Sequence, residues 1–198
     1  MRLTLKRFFD ILFSVLALFS LSWILLISWI IAVIDTRTNG VFNQERIGLY
    51  GKCFKIHKFR TIQKIHDSGE FQISRMGRIL RNFKLDELPQ LFNVLKGEMS
   101  IVGPRPDISG YYDLLEGENR KILELKPGLT SLASLKYFNE DKLLENQISP
   151  LLYNDQVLFP DKVKMNLEYY YHQSFFGDLK IIIKTIVFLF FKSQFRKH

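Results

Sequence analysis

Residues 11–34 read ILFSVLALFSLSWILLISWIIAVI, and this stretch decides the architecture because it contains no charged side chain. A helix of this length reaches the roughly 30 Å thickness of a bilayer's hydrocarbon core. A cleaved signal peptide is disfavoured, since its apolar region is shorter and no small-x-small cleavage site follows residue 34. The sequence therefore predicts a membrane-embedded segment near the amino terminus.

The charges on either side of this segment predict its topology in the membrane. Basic residues precede it at Arg2, Lys6 and Arg7 and follow it at Arg37, Arg46, Lys52, Lys55, Lys58 and Arg60. Because segments rich in lysine and arginine tend to stay in the cytoplasm, both ends are predicted to lie there, with a re-entrant helix between them. Ser20 and Ser22 supply a weak point for the bend, since serine hydroxyls can bond to carbonyls one turn earlier. A plain spanning helix is the alternative, because no proline forces a bend.

The rest of the chain has the size of one globular unit. A chain of 198 residues is long enough for one modest core and a membrane element, and it shows no repeat or low-complexity linker. We therefore predict a re-entrant membrane element at residues 1–36 and one cytoplasmic domain at residues 37–198. The predicted fold class is α-rich α+β, with an N-terminal helical hairpin in the membrane and amphipathic helices at its surface.

The carboxyl-terminal region carries a second apolar segment. Isoleucine, valine, leucine and phenylalanine dominate residues 181–191, and Lys180, Lys184 and Lys192 interrupt or flank them. The segment is too short to span a bilayer, and the lysines favour a helix that lies in the membrane interface. A helix packed on the core of the domain is the alternative.

Patterns between the two apolar segments predict the secondary structure of the domain. Residues 52–62 alternate apolar and basic side chains and predict a strand or hairpin arm, followed by a polar loop at residues 63–69. Residues 76–92 predict a helix broken near Pro89, and residues 107–125 predict another helix. The polar stretch at residues 134–161 has no clear pattern.

The composition indicates a negatively charged partner. With 28 Lys and Arg against 20 Asp and Glu, the formal charge is +8 at pH 7. Nucleic acid, lipid head groups and phosphorylated small molecules all fit that charge, but the chain has no recognisable nucleic-acid-binding module, so no nucleic-acid partner is predicted. The single Cys53 cannot form an intrachain disulfide, and we expect it to be a small packed residue.

One acidic pair, Asp86 and Glu87, lies among many basic residues. A stretch of about fifty residues around this pair includes Lys58, Arg60, Arg75, Arg78, Arg81, Lys84 and Arg105. Arginine forks bind phosphate oxygens, and a carboxylate can either hold Mg²⁺ or attack phosphorus directly. Adjacent helical residues point about 100° apart, so the two carboxylates are expected to have different roles. The alternative is a solvated acidic pair in salt bridges with neighbouring arginines.

The run at residues 85–106, LDELPQLFNVLKGEMSIVGPRP, closely resembles the signature of bacterial sugar transferases known as monotopic phosphoglycosyl transferases. The chain is similar in size to the minimal members of that family. The resemblance extends over most of the chain, through residues 6–10, 44–48, 54–61, 77–81, 126–130 and 178–180.

The resemblance implies a function as well as a fold. Members of this family transfer a sugar 1-phosphate from a UDP-sugar to polyprenol (undecaprenyl) phosphate, which gives polyprenol diphosphate sugar and UMP. This is the first membrane step of surface glycan synthesis. By motif position, Asp86 is the expected nucleophile of a covalent Asp-phosphosugar intermediate and Glu87 its partner, with both as candidate Mg²⁺ ligands. The expected location is the cytoplasmic face of the bacterial inner membrane.

The same resemblance suggests four phosphate ligands, which are Lys58, Arg60, Arg81 and Arg105. Two departures from the family pattern stand out. Members often carry Ser-Pro at the membrane bend, whereas the matching pair here is Ser22-Trp23. The later motif usually reads Pro-Gly-x-Thr-Gly, whereas residues 127–131 read PGLTS and place Ser131 where glycine is usual.

Two other functions are compatible with these residues. An ordinary membrane-associated glycosyltransferase would move the sugar without its phosphate and release UDP. A non-catalytic membrane scaffold would keep the motifs without turnover. The partners predicted by the leading hypothesis are a UDP-sugar donor, a polyprenol phosphate acceptor and membrane lipid, and the sequence is compatible with either a monomer or an oligomer.

Overall fold

The computed structural model describes residues 3–64 and 71–191, and in this part of the chain helices outnumber short strands. The helices are α1 (Leu3–Ser20), α2 (Ser22–Thr36), α3 (Arg75–Asn82), α4 (Gln90–Lys96), α5 (Leu132–Lys136), α6 (Glu140–Glu145), α7 (Pro150–Tyr153), α8 (Phe159–His172) and α9 (Phe175–Phe191). The strands are β1 (Val41–Ile47), β2 (Cys53–Phe59), β3 (Ile62–Lys64), β4 (Phe71–Ile73), β5 (Ser100–Val102) and β6 (Gly128–Thr130). The predicted α-rich α+β class is confirmed.

The apolar segment forms two helices that meet at Leu21. This residue leaves helical geometry with φ −99° and ψ 9°, and the helices on either side are bent by 68°. The hydroxyl of Ser20 donates to the Leu16 carbonyl at 2.8 Å, and that of Ser22 donates to the Phe19 carbonyl at 2.9 Å. The predicted serine bonds are therefore present, and the break lies immediately before the Ser22-Trp23 pair.

The bent helix pair exposes an extensive apolar surface. Among the described residues, no single helix is long and apolar enough to cross a membrane, whereas Thr4–Ser20 and Ser22–Thr36 together are. The large exposed side chains on these helices are Leu5, Phe8, Ile11, Leu12, Val15, Leu16, Phe19, Trp23, Leu26, Ile27, Trp29, Ile30 and Ile34. An apolar surface of this extent marks a site of membrane or protein association.

We expect Trp23→Pro to be tolerated, because Trp23 lies in the first turn of α2 where proline's missing N–H is not needed. The variant should remain in the membrane fraction with a thermal midpoint near that of wild type. Ser28→Pro is the matched control, since Ser28 is buried in the interior of α2, where proline breaks a helix. Release of Trp23→Pro from membranes that retain wild type would argue against a bend at this position.

Arg7 connects α1 to the short helix that follows the acidic pair. Its guanidinium donates to the carbonyl of Val94 at 2.5 Å and to that of Leu95 at 2.7 Å. These carbonyls belong to the last turn of α4, where the helix leaves acceptors without partners. A basic residue at this end also complements the helix dipole. Arg7 therefore fixes α4 relative to α1.

A buried polar network ties both terminal helices to the central sheet. Asp10 is 2% exposed and accepts a hydrogen bond from the Ser100 hydroxyl at 3.0 Å. Lys6 donates to Asp178 of α9 at 2.7 Å, and the Tyr169 hydroxyl donates to the same carboxylate at 2.7 Å. Buried charges remain stable only when they are paired in this way. The network explains why α1 and α9 flank β5.

Strands β5 and β6 pair in parallel and bring two glycines together. A Cβ atom on Gly128 would lie 2.1 Å from the backbone nitrogen of Gly103, and one on Gly103 would lie 2.4 Å from the Lys126 carbonyl. Only glycine permits this backbone approach. The contact sets the direction of the chain as it leaves β5 toward Arg105.

Helix α9 combines the two alternatives given for the carboxyl-terminal segment. Ile181 and Ile182 are buried in the main core with residues of α4 and β5. On the other side of the helix, Ile183, Ile186 and Val187 are exposed. The helix therefore packs on the core through one face and presents a second apolar face outward.

Several local predictions need correction. Residues 107–125 do not form one α-helix; they form the 3₁₀ segments Tyr112–Leu114 and Gly117–Glu124, because Gly110 and Gly117 adopt positive φ angles of 102° and 55°. Cys53 is exposed rather than packed, since it opens β2 at the end nearest the turn.

Three further local predictions concern the chain between the β1–β2 hairpin and the acidic pair. The break in residues 76–92 begins before Pro89, at Lys84, where φ is 55°. The predicted polar loop at residues 63–69 contains the end of β3, and its residues 65–69 lie outside the described residues. The strand predicted at residues 52–62 is confirmed as β2, which pairs antiparallel with β1.

Candidate active site

The acidic pair lies on a tight turn between α3 and α4. Lys84 adopts the left-handed conformation at φ 55° and ψ 23°, and a 3₁₀ turn follows at Leu85–Glu87. Pro89 then caps the start of α4 with φ −59°, a value that suits entry into a helix. A side chain other than glycine in the left-handed region is strained, and such strain concentrates at functional sites. The turn places both carboxyl groups inside the domain.

Asn93 attaches this turn to the β1–β2 hairpin. Its side chain is fully buried and donates to the Lys55 carbonyl at 2.7 Å and to the Glu98 carboxylate at 2.7 Å. Its oxygen accepts from the backbone N–H of His57 at 3.2 Å. Sequence reasoning gave Asn93 no role, because one asparagine in an amphipathic helix carries no local signal. Its bonds bring β2 and therefore Lys58 against the acidic turn.

Glu87 is the hub of the site's ion pairs. Lys58 Nζ donates to its Oε1 at 3.1 Å, and Arg105 binds both carboxylate oxygens, with Nη1 to Oε2 at 3.0 Å and Nη2 to Oε1. Burial alone would raise the pKa of Glu87, but Arg105 and Lys58 outweigh burial and hold that pKa well below its usual range. Glu87 is therefore ionised and already neutralised by its partners.

Asp86, the residue directly before Glu87, has the opposite environment. It is 8% exposed, and among the described residues its buried Oδ1 has no hydrogen-bond partner. Burial and the neighbouring Glu87 charge raise the pKa of Asp86 to about 6, against opposing effects of Lys58, Lys84 and Arg81. The pKa values of two adjacent carboxyl groups are thus driven apart, which is a pattern of sites with divided roles.

The remaining predicted phosphate ligands differ in position. Arg81 donates through Nε to the buried Thr61 hydroxyl at 2.8 Å and lies close enough to influence the pKa of Asp86. Arg60 instead lies against β1, with its guanidinium carbon 5.6 Å from the centre of the Phe42 ring and a long 3.4 Å bond to the Val41 carbonyl. The structure thus brings Arg81 near the pair and keeps Arg60 on the hairpin.

Arg46 is a site residue that sequence reasoning missed. Burial lowers the pKa of Arg46, Asp107 opposes that effect, and the positive charge of Arg105 adds to it. Arg46 Nη1 lies 3.7 Å from Asp107 Oδ1, and its buried Nε has no partner among the described residues. One signal was available, because Arg46 lies in the segment at residues 44–48 that matches the family. That segment has no adjacent acidic pair, so Arg46 did not stand out as a site residue.

The donor set around Asp86 fits a hard divalent cation that is shared with substrate. In the described part of the chain, no group of three or more His, Cys, Asp and Glu side chains could hold a metal ion. Mg²⁺ commonly uses one or two carboxylates and completes its shell with water and substrate phosphates. The unpaired Asp86 Oδ1 suits that role, whereas both oxygens of Glu87 already accept bonds from Lys58 and Arg105.

Comparison with known proteins agrees with this geometry. The model of a family described as bacterial sugar transferase matches residues 1–192. The chain belongs to the bacterial sugar transferase family. The resemblance inferred from residues 85–106 is therefore confirmed, and the chain is an enzyme of the phosphoglycosyl transferase type.

Individual relatives in this sugar transferase family match over most of the chain. A protein named uncharacterized sugar transferase EpsL from Bacillus subtilis is 34% identical over 92% of this chain and 85% of its own length. A UDP-glucose:undecaprenyl-phosphate glucose-1-phosphate transferase from Caulobacter vibrioides is 31% identical over 91% of this chain and 68% of its own length. An undecaprenyl-phosphate glucose phosphotransferase from Komagataeibacter xylinus is 31% identical over 91% of this chain and 35% of its own length.

Proposed function

We propose that this sugar transferase moves a sugar 1-phosphate from a UDP-sugar to undecaprenyl phosphate and releases UMP. The names of the Caulobacter and Komagataeibacter relatives support this reaction class. The observation that carries the proposal is the buried Asp86, whose Oδ1 has no partner among the described residues, beside a Glu87 that cations already neutralise. The positive charges of Lys58, Arg81, Lys84 and Arg105 act on the pair, so four cations outnumber two carboxylates and leave positive charge for the phosphates of the substrates.

The chemical step begins with attack by an Asp86 oxygen on the phosphorus that carries the sugar. The new oxygen–phosphorus bond forms as the bond to the bridging oxygen breaks, and UMP leaves with that electron pair. A phosphate oxygen of the lipid acceptor then attacks the same phosphorus and releases the Asp86 carboxylate. A covalent relay of this kind divides one displacement into two and lets a soluble donor and a lipid acceptor react in turn.

The neighbouring side chains have distinct tasks in this scheme. Arg105 is 41% exposed at its side chain, so its guanidinium can meet a phosphate while Glu87 holds it in place. Lys58 keeps Glu87 ionised and is itself held at the floor of the site. A Mg²⁺ ion bound through Asp86 and substrate oxygens would supply charge neutralisation for the diphosphate.

The membrane arrangement follows from the bent helix pair. We propose that α1 and α2 enter the cytoplasmic leaflet of the inner membrane and return, which places the acidic turn at the cytoplasmic surface. Basic residues on both sides of the segment support this topology. A cysteine introduced beside Arg2 should resist labelling from outside intact cells, and external labelling there would instead indicate a spanning helix.

Nucleotide release from a panel of UDP-sugars tests the proposed reaction. Purified protein in nanodiscs with undecaprenyl phosphate and Mg²⁺ should release UMP with at least one donor. Release of UDP would identify an ordinary glycosyltransferase, and no release with any donor would favour a scaffold. A reaction without undecaprenyl phosphate should still release UMP up to the amount of enzyme, because the first displacement needs no acceptor.

The pH dependence of that first displacement should report Asp86. Since only the ionised carboxylate attacks, and burial raises the pKa of Asp86 to about 6, the single-turnover rate should be nearly constant above pH 7. Below pH 6 it should fall about tenfold per unit. Circular dichroism at each pH separates this effect from unfolding. A rate that stays constant down to pH 4.5 would show that the Asp86 pKa is ordinary or that Asp86 does not attack.

A further inference from the structure

Within residues 3–64 and 71–191, Lys84 is the cation at the acidic turn that the proposed donor site does not use. It directly precedes the turn and holds the left-handed conformation at φ 55°. Its ammonium lies 5.0 Å from the centre of the Phe138 ring, in the geometry of a cation–π contact. The same charge lowers the pKa of Asp86, so Lys84 is near enough to the reacting carboxylate to act on it while its ammonium contacts the Phe138 ring.

Phe138 connects this lysine to the apolar side of the domain. Its ring centre lies 4.9 Å from that of Phe188 on α9, in a tilted arrangement. Beside Phe188, the side chains of Ile186 and Val187 are exposed on the outward face of the same helix. Lys84 is therefore linked to α9 through two aromatic rings, Phe138 and Phe188, that contact each other.

A second apolar surface reaches Lys84 from α3. Met76, Ile79 and Phe83 are exposed, and their spacing of three and four residues places them on one side of that helix. Helix α3 packs against α2 of the bent pair, and the Ser74 hydroxyl at its start donates to Asp35 of α2 at 2.5 Å. Lys84 thus lies where the apolar surface of α3 ends and the polar site begins.

We propose that Lys84, with Phe138 and Phe188 as its apolar wall, binds the phosphate of the lipid acceptor. This deepens the proposed function and rests on it for the identity of the reaction, but it makes a separate claim about one residue. A polyprenol monophosphate combines one anionic group with a long apolar chain. Lys84 offers one cation beside the Phe138 and Phe188 rings, which matches that chemistry.

The chemistry of the other cations assigns them to the donor. Arg105 presents a planar fork, which suits the several oxygens of a diphosphate, and Arg81 carries a second guanidinium whose charge acts on Asp86. Lysine is a compact point charge that accepts a terminal phosphate from any direction. Arg105 and Lys58 are also tied to Glu87, whereas Lys84 contacts a ring. Donor and acceptor phosphates would therefore reach Asp86 from different sides.

Binding measured without turnover tests the role of Lys84. Full-length protein in detergent should bind a polyprenyl monophosphate of intermediate chain length, and Lys84→Gln should weaken that binding about tenfold or more. UDP binding should change less than twofold. Lys84→Arg should restore most of the acceptor affinity, and Phe138→Leu should weaken it by a smaller factor because the apolar wall is only partly lost.

The control is Lys164→Gln, which removes one charge from an exposed position on α8. Thermal midpoints of all variants show whether the left-handed turn survives. Equal acceptor affinity in Lys84→Gln and wild type, a parallel loss of UDP affinity, or no acceptor binding by wild type would each overturn the proposal. Failure of the proposed function looks different, since wild type would then bind the acceptor through Lys84 yet release no UMP from any UDP-sugar.

Discussion

Asp86→Asn should lose turnover by about 10³-fold or more and should form no phosphosugar adduct. Asparagine has the same shape as aspartate, but its amide oxygen carries no negative charge and is a poor nucleophile toward phosphorus. Because Asp86 is buried with an unpaired oxygen, the exchange also removes a charge that was costly to bury. We therefore expect the variant to be at least as stable as wild type while it is inactive.

Intact-protein mass spectrometry after incubation with donor alone gives the direct measurement. Wild type should gain the mass of one phosphosugar, and Asp86→Asn should not. Asp155→Asn, at an exposed aspartate, is the matched control and should behave as wild type does. If wild type turns over rapidly, yet quenched samples never contain an adduct and UMP release strictly requires acceptor, a direct displacement replaces the covalent mechanism.

Arg105→Lys should lower kcat/KM for the UDP-sugar by tenfold or more, although the positive charge is kept. Arg105 lies between Pro104 and Pro106, which limit backbone movement at this position. The backbone therefore cannot shift to bring a lysine ammonium to the place of the guanidinium. Its two bonds to Glu87 depend on the guanidinium fork, and lysine can replace only one of them. Glu87 would then lose part of its neutralisation, and its charge would raise the pKa of Asp86 further.

Steady-state kinetics and thermal melting separate the two roles of Arg105. Arg78→Lys, on the exposed side of α3, makes the same chemical change away from the acidic pair and should leave kcat/KM unchanged. A small change in thermal midpoint with a large loss of kcat/KM would support substrate binding. Near-normal turnover in Arg105→Lys would reduce Arg105 to a structural partner of Glu87.

The sequence predicted those features that are encoded by neighbouring residues. The apolar run, the serines at its bend and the pairing of carboxylates at Asp86 and Glu87 are all local patterns. The different environments of the two carboxylates are not encoded locally. They arise because Arg105 reaches Glu87 only when β5 and the Gly103–Gly128 contact have set its position. No spacing rule indicates which of two adjacent carboxylates a distant arginine will neutralise.

Other features depended on backbone conformations that the sequence alone does not specify. The helix expected at residues 107–125 fails because Gly110 and Gly117 adopt positive φ angles. Phe138, in the polar stretch at residues 134–161, meets Lys84 through a tertiary contact. Ser131, where the family usually has glycine, has an extended φ of −159° that any residue can adopt, and its hydroxyl caps α5 by accepting from the Ser134 N–H. The serine therefore replaces glycine without backbone strain.

The ion pair between Lys6 and Asp178 affects the order in which the protein folds during its synthesis. Its two residues are separated by 172 positions in the chain. A ribosome that adds roughly 5–20 residues per second needs about ten to thirty seconds to cover that distance. Throughout that time α1 exists without the buried carboxylate partner of its lysine. The helix therefore cannot dock against α9 through this ion pair until Asp178 has been synthesised.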